Sequence, residues 1–89
     1  MGTVVALDFE TSDRWADSAC ALGLTRIEDG VIVGELYRLI RPPRSRVYFT
    51  EIHGLTWDML KNEPMFDALW PEFSAFMQGA GALFIHLLP

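Results

Sequence analysis

A β-prone run near the N-terminus, Thr3–Phe9 (TVVALDF), admits one carboxylate at Asp8, and a second follows just beyond it at Glu10. An unbroken run of this kind predicts a central strand buried on both faces. A charge at the end of such a run is costly unless it is paired or bound to metal. Side chains alternate along a strand, so Asp8 and Glu10 point to one face and Phe9 to the other. On ideal strand geometry their Cα atoms lie roughly 6.5–7 Å apart. Carboxylates at that spacing can share Mg²⁺ ions, which bind oxygen at about 2.0–2.1 Å and keep several waters. Alone the pattern decides nothing, because carboxylates are also common where strands emerge into solvent.

The rest of the chain supplies the frame. Thr11–Asp17 is polar and turn-like. Ser18–Glu28 (SACALGLTRIE) and Val31–Ile40 (VIVGELYRLI) read as two strands, and Glu28-Asp29-Gly30 between them carries the Asp-Gly hairpin signal. Arg41-Pro42-Pro43-Arg44 stops the second of these, since prolines cannot donate ladder hydrogen bonds. Thr56 is a credible N-cap for a short helix over Trp57–Asn62, helped by Asp58 near the positive helix end, and Pro64 blocks its continuation. Phe66, Leu69, Trp70, Phe73, Phe76 and Met77 then form one apolar stripe at helical spacing, which reads as core. Pro71 falls inside it and predicts a kink or a late start. Gly79 and Gly81 end that helix, and Ala82–His86 (ALFIH) reads as a fourth, buried strand; the alternative is a tail over Ala82–Pro89. The predicted order is βββααβ, an α/β fold in a single domain over residues 1–89.

Composition narrows the functional classes. With 89 residues, 51% of them hydrophobic, the chain can pack one small core and is not disordered. Its longest apolar stretches fall well short of the about 20 residues a spanning helix needs, and no signal peptide is visible, so neither membrane insertion nor secretion is expected. The single Cys20, read as a small buried strand residue, fits a reducing cytoplasm. A net charge of −5 argues against a protein that holds nucleic acid by bulk attraction. It leaves room for an enzyme that meets phosphate through divalent metals, where clustered carboxylates are wanted. Arg38, Arg41, Arg44 and Arg46 could guide a nucleic-acid backbone; the other reading is a solvated loop balancing an acidic protein.

Val5-Ala6-Leu7-Asp8-Phe9-Glu10-Thr11 resembles the first exonuclease motif of the DEDD superfamily, in particular the proofreading epsilon-subunit-like exonucleases of bacterial DNA polymerase III. The resemblance continues through Ile27–Val31 and Arg41-Pro42 to Ile52-His53-Gly54-Leu55-Thr56, similar to the family's I-H-G-[IL]-T segment, and on to Pro64, Phe66 and the Trp70–Phe73 helix. It implies a ribonuclease H-like mixed sheet whose first three strands form an antiparallel meander. It implies Asp8 and Glu10 as catalytic ligands of Mg²⁺ or Mn²⁺, and two-metal hydrolysis of 3′-terminal phosphodiesters in single-stranded DNA. A DNA polymerase is the implied partner, and RNA is an open substrate because ribonuclease T and oligoribonucleases are relatives. Phe9, Thr11, His53 and Leu55 are carried over as substrate-contact candidates. Read without the family, His53 is a turn histidine, although the helix start at Thr56 offers backbone N–H groups to a phosphate.

After the fourth strand the family has an H-N-x-x-F-D segment and later H-x-x-x-x-D. Here the sequence reads His86-Leu87-Leu88-Pro89, with no aspartate beyond Asp67. His86 stands where a remnant of the first of these would fall. Two carboxylates cannot hold two dications as four can, and no histidine is placed to serve as base. Negligible exonuclease activity is expected of these residues alone. An uncovered apolar face and open strand edge predict self-association or domain swapping. A non-catalytic ribonuclease H-like module for binding or assembly is the competing class.

Overall fold

The computed structural model describes residues 2–88. Strands β1 (Thr3–Thr11), β2 (Ala19–Glu28), β3 (Val31–Leu39) and β4 (Ala82–Leu88) form one sheet in the order β3-β2-β1-β4. β1–β2 and β2–β3 pair antiparallel and β1–β4 parallel, which is the mixed sheet with an opening meander. The hairpin between β2 and β3 turns on Asp29 (φ 50°) and Gly30 (φ 85°). Positive φ at both central residues is what a type I′ turn demands, and Asp-Gly meets it at little cost.

Three helices follow β3: α1 (Thr50–His53), α2 (Trp57–Leu60) and α3 (Phe66–Met77). The sequence predicts two. The additional α1 is a single turn, too short to leave a periodic signal, and Gly54 closes it at φ 79°. Thr56 does stand at the N-cap of α2, but no side-chain cap bond forms.

Odd-numbered residues of β1 face α3. Leu7 pairs with Leu24 and Phe9 with Leu22 across the β1–β2 ladder, and Val5, Leu7, Leu22 and Leu24 pack with Leu69 and Phe73 of α3. Phe9 stacks on Phe66 with ring centroids 6.5 Å apart, and Phe66 on Phe73 at 5.7 Å. The predicted stripe is therefore core only at its centre. Leu69 and Phe73, one turn apart, are buried, whereas Trp70 is 49% exposed at the margin. Six apolar positions cover a wider arc than the sheet beneath them can meet. α3 also runs through Pro71 without the predicted late start. Proline costs it one bond, to the carbonyl of Asp67, which packing outweighs.

Arg26 on β2 secures the far end of α3. Its Nη1 donates to the carbonyls of Phe76 (2.8 Å) and Gln78 (2.7 Å), and its Nε to Glu28 (2.9 Å). A second cluster, Cys20, Ala21, Leu55 and Leu60, closes the other end of the sheet beneath α2, with Leu39 and Val47 packed against it. Cys20 is fully buried, as its strand position predicts, and burial pushes its thiol up to about 11, helped by the charge of Glu10.

Two predictions about burial fail. β1 is central in the sheet but covered on one face: Val5 and Leu7 are buried while Asp8 is exposed. β4 exists, against the tail alternative (Pro89 lies outside the described residues), yet it is not buried. Phe84, Ile85 and Leu87 are each more than 60% exposed. Apolar composition says that a strand wants cover; it does not say that cover is present. Among the described residues, no helix is long and apolar enough to cross a membrane.

Candidate functional site

Asp8 and Glu10 project from the face of β1 opposite α3. Phe9 between them packs toward α3, and strand alternation turns its two neighbours to the other side; the phenol of Tyr37 on β3 is raised by burial and then by the charges of Glu10, Cys20 and Asp8. The ladder explains why Tyr37 reaches them. Asp8 lies opposite Gly23, and Gly23 opposite Tyr37. A Cβ built on Gly23 would stand 3.5 Å from Tyr37 Cδ1 and 3.9 Å from the Asp8 carbonyl. Both are ordinary contact distances, so the tyrosine ring lies against β2 beside the strand that carries the acid. Ala6, Asp8, Thr25, Glu35, Tyr37 and His86 line the open concavity so formed.

His86, one strand over on β4, pairs with Asp8 in the parallel ladder and brings Nδ1 to 3.4 Å from Asp8 Oδ1. Three of the six arginines are engaged elsewhere: Arg26 with Glu28, Arg38 with Glu72, and Arg44 with Asp13 and Asp17. Asp8 and Glu10 are thus neither turned apart nor neutralised by these arginines. Glu10 Oε2 is buried with no hydrogen-bond partner. A buried carboxylate oxygen without a donor carries a desolvation cost that a cation would relieve. Among the described residues, however, no group of three or more His, Cys, Asp or Glu is disposed to hold a metal ion. Asp8 and Glu10 fit one side of a divalent site and no more.

At the end of β1 the ladder slips between Glu10 and Thr11, the irregularity that lets the strand leave the sheet. His53 braces this point. Leu55 N–H donates to His53 Nδ1 (3.0 Å), so the proton sits on Nε2, which donates to the Thr11 carbonyl at 2.9 Å. Both ring nitrogens are therefore engaged with backbone, and Leu55 itself is buried in the cluster around Cys20. Of the four contact candidates, Phe9 and Thr11 line a concavity at the strand end, together with Trp15, Phe49 and Leu87.

The loop after Thr11 is fixed by a network of its own. Ser12 N–H donates to the Ser18 carbonyl (2.8 Å), Ser18 Oγ to the Asp13 carbonyl (2.6 Å), and Trp15 N–H to Asp13 Oδ1 (2.9 Å). Arg44, from the segment after β3, donates Nε to Asp13 Oδ2 at 2.7 Å and bonds Asp17 as well. Tyr48 N–H adds a bond to the Ser12 carbonyl, 2.8 Å. The arginine cluster thus divides, with Arg38 and Arg44 bonded within the fold and Arg46 lying over the Tyr48 ring.

The hydrogen bond from Arg44 holds the Asp13 carboxyl below the usual range, and does the same for Asp17. An acid depressed by folding stabilises the native state above its unfolded value, about 4, and the contribution is lost as pH falls through the lower native values. Arg44→Ala should therefore be less stable than the parent at neutral pH, with the gap closing below about pH 4 as the parent's carboxylates protonate. Urea midpoints measured across that range check it; a gap that widens in acid contradicts the pairing.

This sheet, with α3 on one face and carboxylates on the other, is a ribonuclease H-like fold. It superposes on Exonuclease X, solved in complex with 5′ overhanging duplex DNA, with a TM-score of 0.71 at 18% identity, over 96% of this chain and 58% of that one. The sequence relatives are more particular. Over 82 residues, 88% of this chain, it is 40% identical to a DNA polymerase III PolC-type of Thermotoga petrophila. Over 80 residues, 85% of the chain, it is equally identical to the DNA polymerase III PolC-type of Thermotoga maritima. The chain spans 6% of the length of each. No protein-family profile matches it.

Proposed function

We propose that this chain is the opening portion of a 3′–5′ exonuclease domain of the polymerase III type, acting on the 3′ end of single-stranded DNA. The observation that carries the reading is the pair of carboxylates on one face of β1, one with a buried, unpartnered oxygen. Asp8 and Glu10 would hold the divalent ions, Mg²⁺ or Mn²⁺. When bound, such ions supply an activated water and neutralise charge at the leaving oxygen. The chain's own residues do the rest. Glu10 offers an oxygen already stripped of water and Asp8 one open to solvent, while Phe9 and Thr11 border a separate concavity at the strand end. His53 and Leu55 sit beneath, fixing the Thr11 carbonyl and the strand end. DNA is favoured over RNA because the sequence relatives are DNA polymerases. A DNA polymerase partner and pairing of chains through the β4 edge belong to the same reading.

Two carboxylates without a positioned base should bind metal without turning over. We expect Mn²⁺ added to the purified chain to give a bound electron-paramagnetic signal that is lost in both Asp8→Asn and Glu10→Gln, with no release of nucleotides from oligonucleotide. Without metal, Glu10→Gln should be the more stable protein by roughly 1 kcal/mol, because it removes repulsion between two carboxylates on residues whose Cα atoms lie about 7 Å apart. Mn²⁺ binding indifferent to both substitutions sinks the site. Metal-dependent nucleotide release by the parent, lost on Asp8→Ala, overturns the inactivity. The genomic check is a forward-frame translation downstream: H-N-x-x-F-D followed by H-x-x-x-x-D supports the exonuclease, and their absence favours the binding module.

A further inference from the structure

The surface beyond the end of β1 is aromatic and basic, and the hydrolytic reading makes no use of it. Trp15 is 66% exposed and Tyr48 60% exposed, two large rings left in solvent near the end of β1. With Arg14 and Phe49 they line a concavity that adjoins the one bordered by Phe9 and Thr11; Arg14, Trp15 and Phe49 belong to both. The guanidinium of Arg46 lies 4.9 Å from the centroid of the Tyr48 ring.

The backbone that carries these rings is held in place. The Trp15 amide is tied to Asp13, Asp13 and Asp17 are clamped by Arg44, and the Tyr48 amide is tied to Ser12. A large side chain kept in water on a braced backbone is pre-organised for a partner, since little ordering remains to oppose binding. Charge indicates which partner. In a chain of net charge −5, Arg26, Arg38 and Arg44 are held by carboxylates, while Arg14 and Arg46 stand beside exposed rings. Cations interleaved with aromatic faces suit a polyanion that carries flat bases.

We propose that Trp15 and Tyr48, flanked by Arg14 and Arg46, form a stacking platform for single-stranded nucleic acid beyond the end of the strand that carries Asp8 and Glu10. The platform rests on the exonuclease reading for the identity of its ligand. Bases stack on Trp15 and Tyr48, and the two arginines follow the phosphates. Stacking does not read sequence, so the platform accepts any base.

The test is equilibrium binding of a short fluorescent oligothymidylate to the purified 89-residue chain in metal-free buffer, by anisotropy and by tryptophan quenching. Trp15→Ala and Tyr48→Ala should each raise Kd about tenfold, with Trp15→Phe retaining most of the affinity. Arg46→Ala should lower the slope of log Kd against log salt by about one. Trp70→Phe, on α3, is the control for a generic aromatic effect and should bind as the parent does. Parent-like binding by both alanine variants, with their circular dichroism unchanged, overturns the platform. So does equal affinity for an abasic strand, or the absence of any oligonucleotide binding. Those results leave the exonuclease reading standing, because that reading fails on Mn²⁺ binding at Asp8 and Glu10, which is measured separately.

Discussion

Phe73→Ala should leave the chain unable to hold its fold. Phe73 is fully buried at the centre of α3, against Val5, Leu7, Leu22 and Leu24. Truncating a buried phenylalanine costs about 3–5 kcal/mol. A domain of this size has only about 4–13 kcal/mol to lose. The cost should fall at the upper end, because the sheet cannot collapse into the cavity without breaking its ladders. Urea unfolding followed by circular dichroism should show the parent's cooperative transition reduced to a broad one or absent. Phe73→Leu, which keeps most of the volume, should retain it. An alanine variant with the parent's midpoint means that α3 does not carry the core.

Arg26→Ala should be the next most damaging change, at about 1.5–3 kcal/mol. It is a charged donor to two carbonyls at the end of α3, Phe76 and Gln78, where the helix leaves its last carbonyls without amides. Losing it frees the turn that leads into β4. Lysine has the charge without the fork, so Arg26→Lys should recover only part of the loss. The midpoint shift by chemical denaturation measures both. Full rescue by lysine would mean that charge near the helix end, not the pair of bonds, is what matters.

Much of the architecture could be read in advance because it is local. Asp29-Gly30 announces its hairpin, since few other pairs tolerate positive φ twice in succession. The shared face of Asp8 and Glu10 follows from strand alternation alone. What sequence could not give is whatever depends on a distant partner. Nothing near Asp13 says that an arginine 31 residues later will clamp it. Tyr37 joins the site through a register that shifts between Arg26 and Ile27, so counting outward from the Asp29-Gly30 turn would have placed Leu36, not Tyr37, opposite Gly23. His86 needed the parallel pairing of β4, whose register is set by no turn. The burial predicted for β4 failed for the same reason: a sequence records the appetite of a strand for cover and not the surface that meets it.

The parallel pairing also sets an order of events. The β1–β2–β3 meander closes through short connections, whereas β4 must find β1 across the whole intervening chain, and late contacts of that kind form slowly and open readily. The few exposed bonds that hold β4 should exchange their amide hydrogens well before those of the meander. Each such opening turns β1 from an inner strand into an outer one and bares its hydrogen-bonding edge. The segment bearing Asp8 and Glu10 then takes over from β4 as the sheet's adhesive margin, so losing β4 would turn the carboxylate-bearing strand itself toward a neighbouring copy.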